Sequence, residues 1–197
     1  MEDIRKVLKS KTPHCSLHPN LTNSLIIKYR DLSCETTNAS LRLPADLAII
    51  FPKLEKLKIG WYGLRNPSKC PIPLMGSNQK WPRSLSAIEI HNLPTTYLPA
   101  IHNSQVKHMD IDGCSDLTRI ANVSSLKYLE TLKIHCEYKS LQYLPPGVFK
   151  ENVKLKELDL NGNNISIVDA DSLKGLVNLE TINLGLNPIE YVPKGTV

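Results

Sequence analysis

Aromatic residues are scarce in this 197-residue chain, with 2 Phe, 2 Trp and 7 Tyr, so large aromatic anchors cannot organise one globular centre. Long apolar runs are missing too. The longest, Leu47-Ala48-Ile49-Ile50-Phe51, is far short of the roughly 20 residues that cross a bilayer, which leaves no candidate membrane span. No Lys/Arg run of nucleic-acid type occurs, and no aromatic platform is interleaved with the spread lysines Lys53, Lys56, Lys58, Lys69 and Lys80, so nucleic acid is not an expected partner. No Gly-rich phosphate loop appears, and no two of the five cysteines stand two to four residues apart, which excludes the common zinc patterns. Neither a metal nor a cofactor is expected. The start, Met1-Glu2-Asp3-Ile4-Arg5-Lys6, has early acids and no apolar core of a secretory signal. It fits either a cytosolic chain or an excised piece of a longer one.

What is abundant is leucine, 29 of 197 residues, with 17 isoleucines beside it. These fall on one recurring pattern, L-x-x-L-x-L-x-x-N/C-x-L. Leu155, Leu158, Leu160, Asn163 and Ile165 fill it, as do Leu179, Ile182, Leu184, Asn187 and Ile189. Weaker copies begin at Leu54, Leu85, Val106 and Leu129. The six first positions are separated by 31, 21, 23, 26 and 24 residues, close to the period of about 20–29 that defines leucine-rich repeats. The chain therefore resembles the leucine-rich repeat family over residues 41–197. The fold expected is α/β, a leucine-rich repeat solenoid with a parallel concave sheet and short helical or irregular convex segments, preceded by a cap region at 1–40.

The alternating L-x-L of each copy is a short strand whose leucines point inward. An Asn at the ninth position would hydrogen-bond the backbone of neighbouring coils. Cys114 fills that slot in one copy, as a small buried thiol; Tyr62, Leu93 and Glu137 fill it in three others, so the solenoid should be less regular in its middle. Phe149 and Leu173 each lie six residues before the next first-position leucine, where animal repeats of about 24 residues begin a short convex turn. In this the chain is similar to extracellular animal leucine-rich repeat proteins, including Toll-like receptor ectodomains and their secreted relatives. The 31-residue interval, with its Pro67, Pro71 and Pro73, reads as a loop leaving the solenoid near residues 65–84, bracketed by Trp61 and Trp81. The last residues stop inside a convex segment with no cysteine cap, so the native protein is expected to continue.

The resemblance also implies a disulfide-closed cap, with Cys15 paired to Cys34 around the apolar Leu25-Ile26-Ile27. Cys114 and Cys136 lie at nearly equivalent places in successive repeats and could be neighbours; their pairing, and that of Cys70, stays open. Of four N-x-S/T sequons, those at Asn20, Asn38 and Asn122 are candidate glycan sites, whereas Asn164 adjoins the inward asparagine. A contrary signal is Ile111-Asp112-Gly113-Cys114-Ser115-Asp116-Leu117, which resembles the I-x-x-C-x-x-L style of plant intracellular immune receptors and supports a cytoplasmic scaffold or sensor arm as the alternative.

Outward strand positions can be written as three columns: Lys56, Ala87, His108, Thr131, Glu157, Thr181; then Lys58, Glu89, Asp110, Lys133, Asp159, Asn183; then Gly60, His91, Asp112, His135, Asn161, Gly185. The face is polar and mixed in sign, which suits a protein or glycan partner and rules out a lipid pocket. The partner-binding candidates are Lys56, Lys58, Glu89, His91, Asp110, Asp112, Lys133 and His135. The row His91, Asp112, His135 has the residue types of a metal or proton-sensitive site, although a solvated polar row explains it as well. Catalysis finds no footing: Cys136 and His135 are strand neighbours pointing to opposite faces, so they cannot form a nucleophile–base pair. The reading is a non-enzymatic recognition module, extracellular or on a cell surface. By the Toll-like resemblance, it would act in innate immunity, with receptor dimerisation left open.

Overall fold

The computed structural model describes residues 23–30, 47–62, 80–93, 96–98, 101, 105–114, 117–136 and 140–194. Every copy of the L-x-L pattern forms a strand: β2 (Lys56–Tyr62), β3 (Ala87–His91), β4 (His108–Cys114), β5 (Thr131–Cys136), β7 (Glu157–Asp159) and β9 (Thr181–Asn183). A seventh, β1 (Ser24–Arg30), contains the apolar Leu25-Ile26-Ile27 and pairs with β2 at the sheet edge. All seven run parallel in the order β1-β2-β3-β4-β5-β7-β9. Consecutive strands that pair in parallel with short crossovers are the geometry of a leucine-rich repeat solenoid.

Alternation fixes which face is which. The inward pairs Leu57/Ile59, Ile88/Ile90, Met109/Ile111, Leu132/Ile134 and Leu158/Leu160 are all buried, as are the preceding residues Leu54, Leu85, Val106, Leu129 and Leu155. Each fully buried aliphatic side chain contributes about 1.5–3 kcal/mol, so a coil holding three or more depends on its neighbours to cover them. The returning chain supplies the other wall of the core through Leu98, Leu117, Ile120, Leu141, Leu144 and Ile165. Phe149 and Leu173, expected to start the convex turns, are buried there, but both stand in turns rather than in helix. Helix is confined, among the described residues, to α1 (Leu47–Ile50) and a 3-10 turn at Ala121–Ser125. Two short convex strands, β6 (Tyr143–Leu144) and β8 (Ile167–Val168), pair in parallel on the far side.

Asparagine side chains join successive coils. Asn163 donates from Nδ2 to the carbonyls of Ile134 and Leu160, both at 2.7 Å, and its Oδ1 accepts the Cys136 N–H at 3.2 Å. Asn187 repeats this one coil later, donating to Leu160 and Leu184 and accepting the Ile165 N–H. These are the inter-coil bonds expected of the ninth position. Convex asparagines add a second set: Asn122 donates to Leu98 O, Asn152 to Val123 O and Leu126 O, and Asn178 to Val153 O.

Cys114 does not fill its slot as a thiol: it forms a disulfide with Cys136, the neighbour that their nearly equivalent places allowed, with Cα atoms 4.5 Å apart. The register explains how. Asp112 pairs with His135 and Cys114 with Cys136, so β4 spends one more residue than β5 over this step. Gly113 is that extra residue, at φ +71°, a left-handed conformation that suits glycine. A Cβ there would stand 2.4 Å from Asn92 Oδ1. The bulge turns Cys114 inward to meet its partner. Trp81 is buried in the core at the start of the β3 coil. The proline-containing stretch of the 65–84 loop lies outside the described residues, as do Cys15, Cys34, Cys70, Asn20 and Asn38.

Candidate functional site

The three outward columns emerge in register. Lys56, Ala87, His108, Thr131, Glu157 and Thr181 are successive partners across the sheet, and so are Lys58, Glu89, Asp110, Lys133, Asp159 and Asn183. In the third column Gly60, His91, Asp112 and His135 follow one another before the pairing of β5 with β7 ends at Asp159. All eight candidate residues therefore share the concave face, because each adjoins at least one inward leucine or isoleucine and the strand period is two.

Their side chains form ion pairs that run across the strands. Glu89 accepts Lys56 at 2.5 Å on one oxygen and Lys58 at 3.1 Å on the other. Burial works to raise the Glu89 pKa, but the hydrogen bonds and charges of Lys56 and Lys58 outweigh it and hold the carboxyl below its ordinary value. His91 lies between two acids, with Nε2 3.9 Å from Glu89 and Nδ1 3.7 Å from Asp112. Its Nε2 is buried and makes no hydrogen bond to the described residues. On the other side Lys133 meets Glu157 at 2.7 Å, and this bond holds the lysine pKa above its ordinary value. His135 Nε2 approaches Asp159 at 3.2 Å, while the Asn161 N–H donates to the same carboxylate oxygen at 3.0 Å. Burial pushes Asp159 up; the Asn161 and His135 bonds more than offset it, and its pKa is lowered.

Glu157 and Asp159 were not among the eight candidates, although both complete pairs with residues that were. The signal was present in the columns: each is the next row after Lys133 in β5. His91, Asp112 and His135 do share one row, but each histidine approaches a separate carboxylate, Asp112 and Asp159, and no group of three metal-ligating side chains assembles among the described residues. Between β2 and β5 the face sinks into a depression of about 310 Å³, lined by Lys56, Ala87, Glu89, Asp110, Thr131 and Lys133 among others. The small Ala87 and the short Thr131 flank His108 in one row and leave that space open. Asn122, the remaining described glycan candidate, is exposed on the convex 3-10 turn. No helix among the described residues is long and apolar enough to cross a membrane.

Comparison with known proteins agrees with this architecture. A family model described as leucine rich repeat matches residues 127–189. Decorin of Equus caballus is 28% identical over 125 residues, covering 60% of this chain and 33% of that protein. Decorin of Homo sapiens is 48% identical over 56 residues, 28% of this chain and 14% of that one. Opticin of Bos taurus is 28% identical over 128 residues, 65% of this chain and 35% of the other. The matched stretches thus span about a third or less of these relatives. A solved leucine-rich repeat protein of Leptospira interrogans aligns with 84% of this chain and 44% of its own, at 20% identity and a TM-score of 0.46.

Proposed function

We propose that this leucine-rich repeat protein, similar to the secreted animal proteins decorin and opticin, is an extracellular recognition module that binds a protein or glycan through its concave face. The observation that carries the reading is the continuous polar face in register from β2 to β9, with charged side chains oriented by one another while the opposite face of β2 to β7 is spent on the core. Lys56, Lys58, Glu89, His91, Asp110, Asp112, Lys133 and His135 make the partner contacts, joined by Glu157 and Asp159. Half-exposed ion pairs add only about 0–1 kcal/mol each to stability, so their concentration here is better accounted for by recognition.

The Cys114–Cys136 disulfide supports the extracellular placement, since disulfides persist in oxidising compartments. It also bears on the intracellular alternative, whose sequence support was Cys114 as a ladder thiol. In the same reading Cys15 pairs with Cys34, Asn20, Asn38 and Asn122 carry glycans, and residues 1–40 cap the repeats of 41–197. The amide nitrogen of Asn122 keeps one N–H after glycosylation, enough for its bond to Leu98 O. A more specific role, innate-immune recognition by a dimerising cell-surface receptor, rests on the Toll-like resemblance of the convex turns.

The test is a binding panel of purified extracellular proteins and glycans, screened with the wild-type chain, a concave variant (Glu89→Lys with Lys133→Glu) and a convex one (Lys127→Glu with Lys174→Glu). Binding lost only in the concave variant is the expected result. Loss only in the convex variant would overturn the assignment of the face.

A further inference from the structure

We infer that the concave face takes a basic segment of its partner, with one lysine or arginine side chain seated in the depression between β2 and β5 so that its cation meets Asp110. The inference rests on the concave face being the binding face and adds the chemistry of what it binds. The site is a cavity of mixed lining, and its character follows from which charges are already matched. Glu89 is matched twice, by Lys56 and Lys58, and Lys133 is matched by Glu157. Asp110, on the wall of the depression, has no Lys, Arg or His ion pair within 4.0 Å among the described residues, and reaches Lys133 only through its longer-range field. Asp112, the next outward residue of the same strand, has a side chain that is 62% exposed and pairs, among the described residues, with His91 at 3.7 Å.

Size and charge agree. The depression of about 310 Å³ opens over Ala87 and Thr131, whose small side chains leave a shelf for the methylene stem of a long cationic side chain. From β3 to β7 the face carries five carboxylates, Glu89, Asp110, Asp112, Glu157 and Asp159, against the single lysine Lys133, on a chain whose net charge is +5. An acidic partner would be drawn to the rest of the molecule, whereas a cationic one is focused onto this face. Lys56, which lines the β2 side of the depression with its charge paired to Glu89, and Lys58 beside it repel the segment's charges and direct its cation toward Asp110 on the β4 wall.

The experiment uses two capped ten-residue peptides, one alternating Arg with Ser and one alternating Glu with Ser, titrated at low salt into the 15N-labelled chain. Expected are binding of the Arg peptide with shifts centred on the amides of Ala87, Asp110 and Thr131, and an affinity about tenfold weaker for Asp110→Asn, the loss of one charge-assisted contact. Lys127→Gln, on the convex rim, should bind as wild type does. Preference for the Glu peptide at those amides, or an Asp110→Asn affinity equal to wild type, overturns this inference and leaves the concave reading standing. No binding of either peptide also overturns it. Shifts of the Arg peptide confined to convex amides overturn both.

Discussion

Asn163 and Asn187 offer an internal comparison, because the two side chains make nearly the same inter-coil bonds in different surroundings. Asn163 is buried, and replacing it by alanine strips partners from the Ile134 carbonyl and the Cys136 N–H, with little room for water to replace them, while the Leu160 carbonyl keeps its bond from Asn187. A buried backbone group left unsatisfied costs about 1–3 kcal/mol. With partial relaxation, two such groups bring Asn163→Ala to a loss of about 2–3 kcal/mol. Asn187 bonds Leu160 O, Leu184 O and the Ile165 N–H, but it is part-exposed in the last described coil, where Ile182 is 37% and Leu186 83% exposed. Water can take over there, and Asn187→Ala should cost about 1 kcal/mol. Urea unfolding of the oxidised chains, followed by far-ultraviolet circular dichroism and fitted with one shared slope, measures both. Equal losses for the two variants, within about 0.5 kcal/mol, would refute the claim that burial rather than bond count sets the strength of the asparagine bonds.

Three further outcomes follow from the same structure. Replacing both Cys114 and Cys136 by alanine opens a loop of sequence separation 22 and should cost about 3 kcal/mol in urea unfolding, with dithiothreitol lowering the wild type to match. Leu158→Ala, in a fully buried position, should cost about 3 kcal/mol, against about 1 kcal/mol for Ile182→Ala at the partly open end coil. Asp159 and Glu89 have folded-state pKa values below their ordinary ones, so each contributes stability that is present above its unfolded value, about 3.9 and 4.3, and is lost as pH falls through the folded value. The urea midpoint of the wild type should therefore fall below about pH 4, and Asp159→Asn with Glu89→Gln should flatten that acid limb; an unchanged limb would remove these two groups from the explanation.

The spacing of leucines made the sheet legible strand by strand, because a period of two places every outward residue once the inward ones are known. The rows from Lys56 to Thr181 and from Lys58 to Asn183 stand in the register that the pattern implied. Cys114 and Cys136 were legible as possible neighbours but not as a level pair, and two further features were not legible, each for a physical reason. Cys136 occupies the eighth place of its copy and Cys114 the ninth, and only the glycine bulge at Gly113 brings them level. Asn122, Asn152 and Asn178 stand seven, three and one residues before the next first-position leucine, so no period marks their shared role on the convex side. Within the site, choosing residues as single charges passed over Glu157 and Asp159, whose importance comes from the pairs they close with Lys133 and His135.

A solenoid with a charged concave face and an oxidising compartment meet in the Cys114–Cys136 bond. A non-reducing tryptic map of the protein purified from its native source, with free thiols alkylated beforehand, tests this directly. Cleavage after Lys107, Arg119, Lys133 and Lys139 puts the two cysteines on separate peptides, residues 108–119 and 134–139. These two peptides should be recovered as one disulfide-linked species, separated only by reduction. Recovery of both as alkylated free thiols would contradict the extracellular module and favour an intracellular chain.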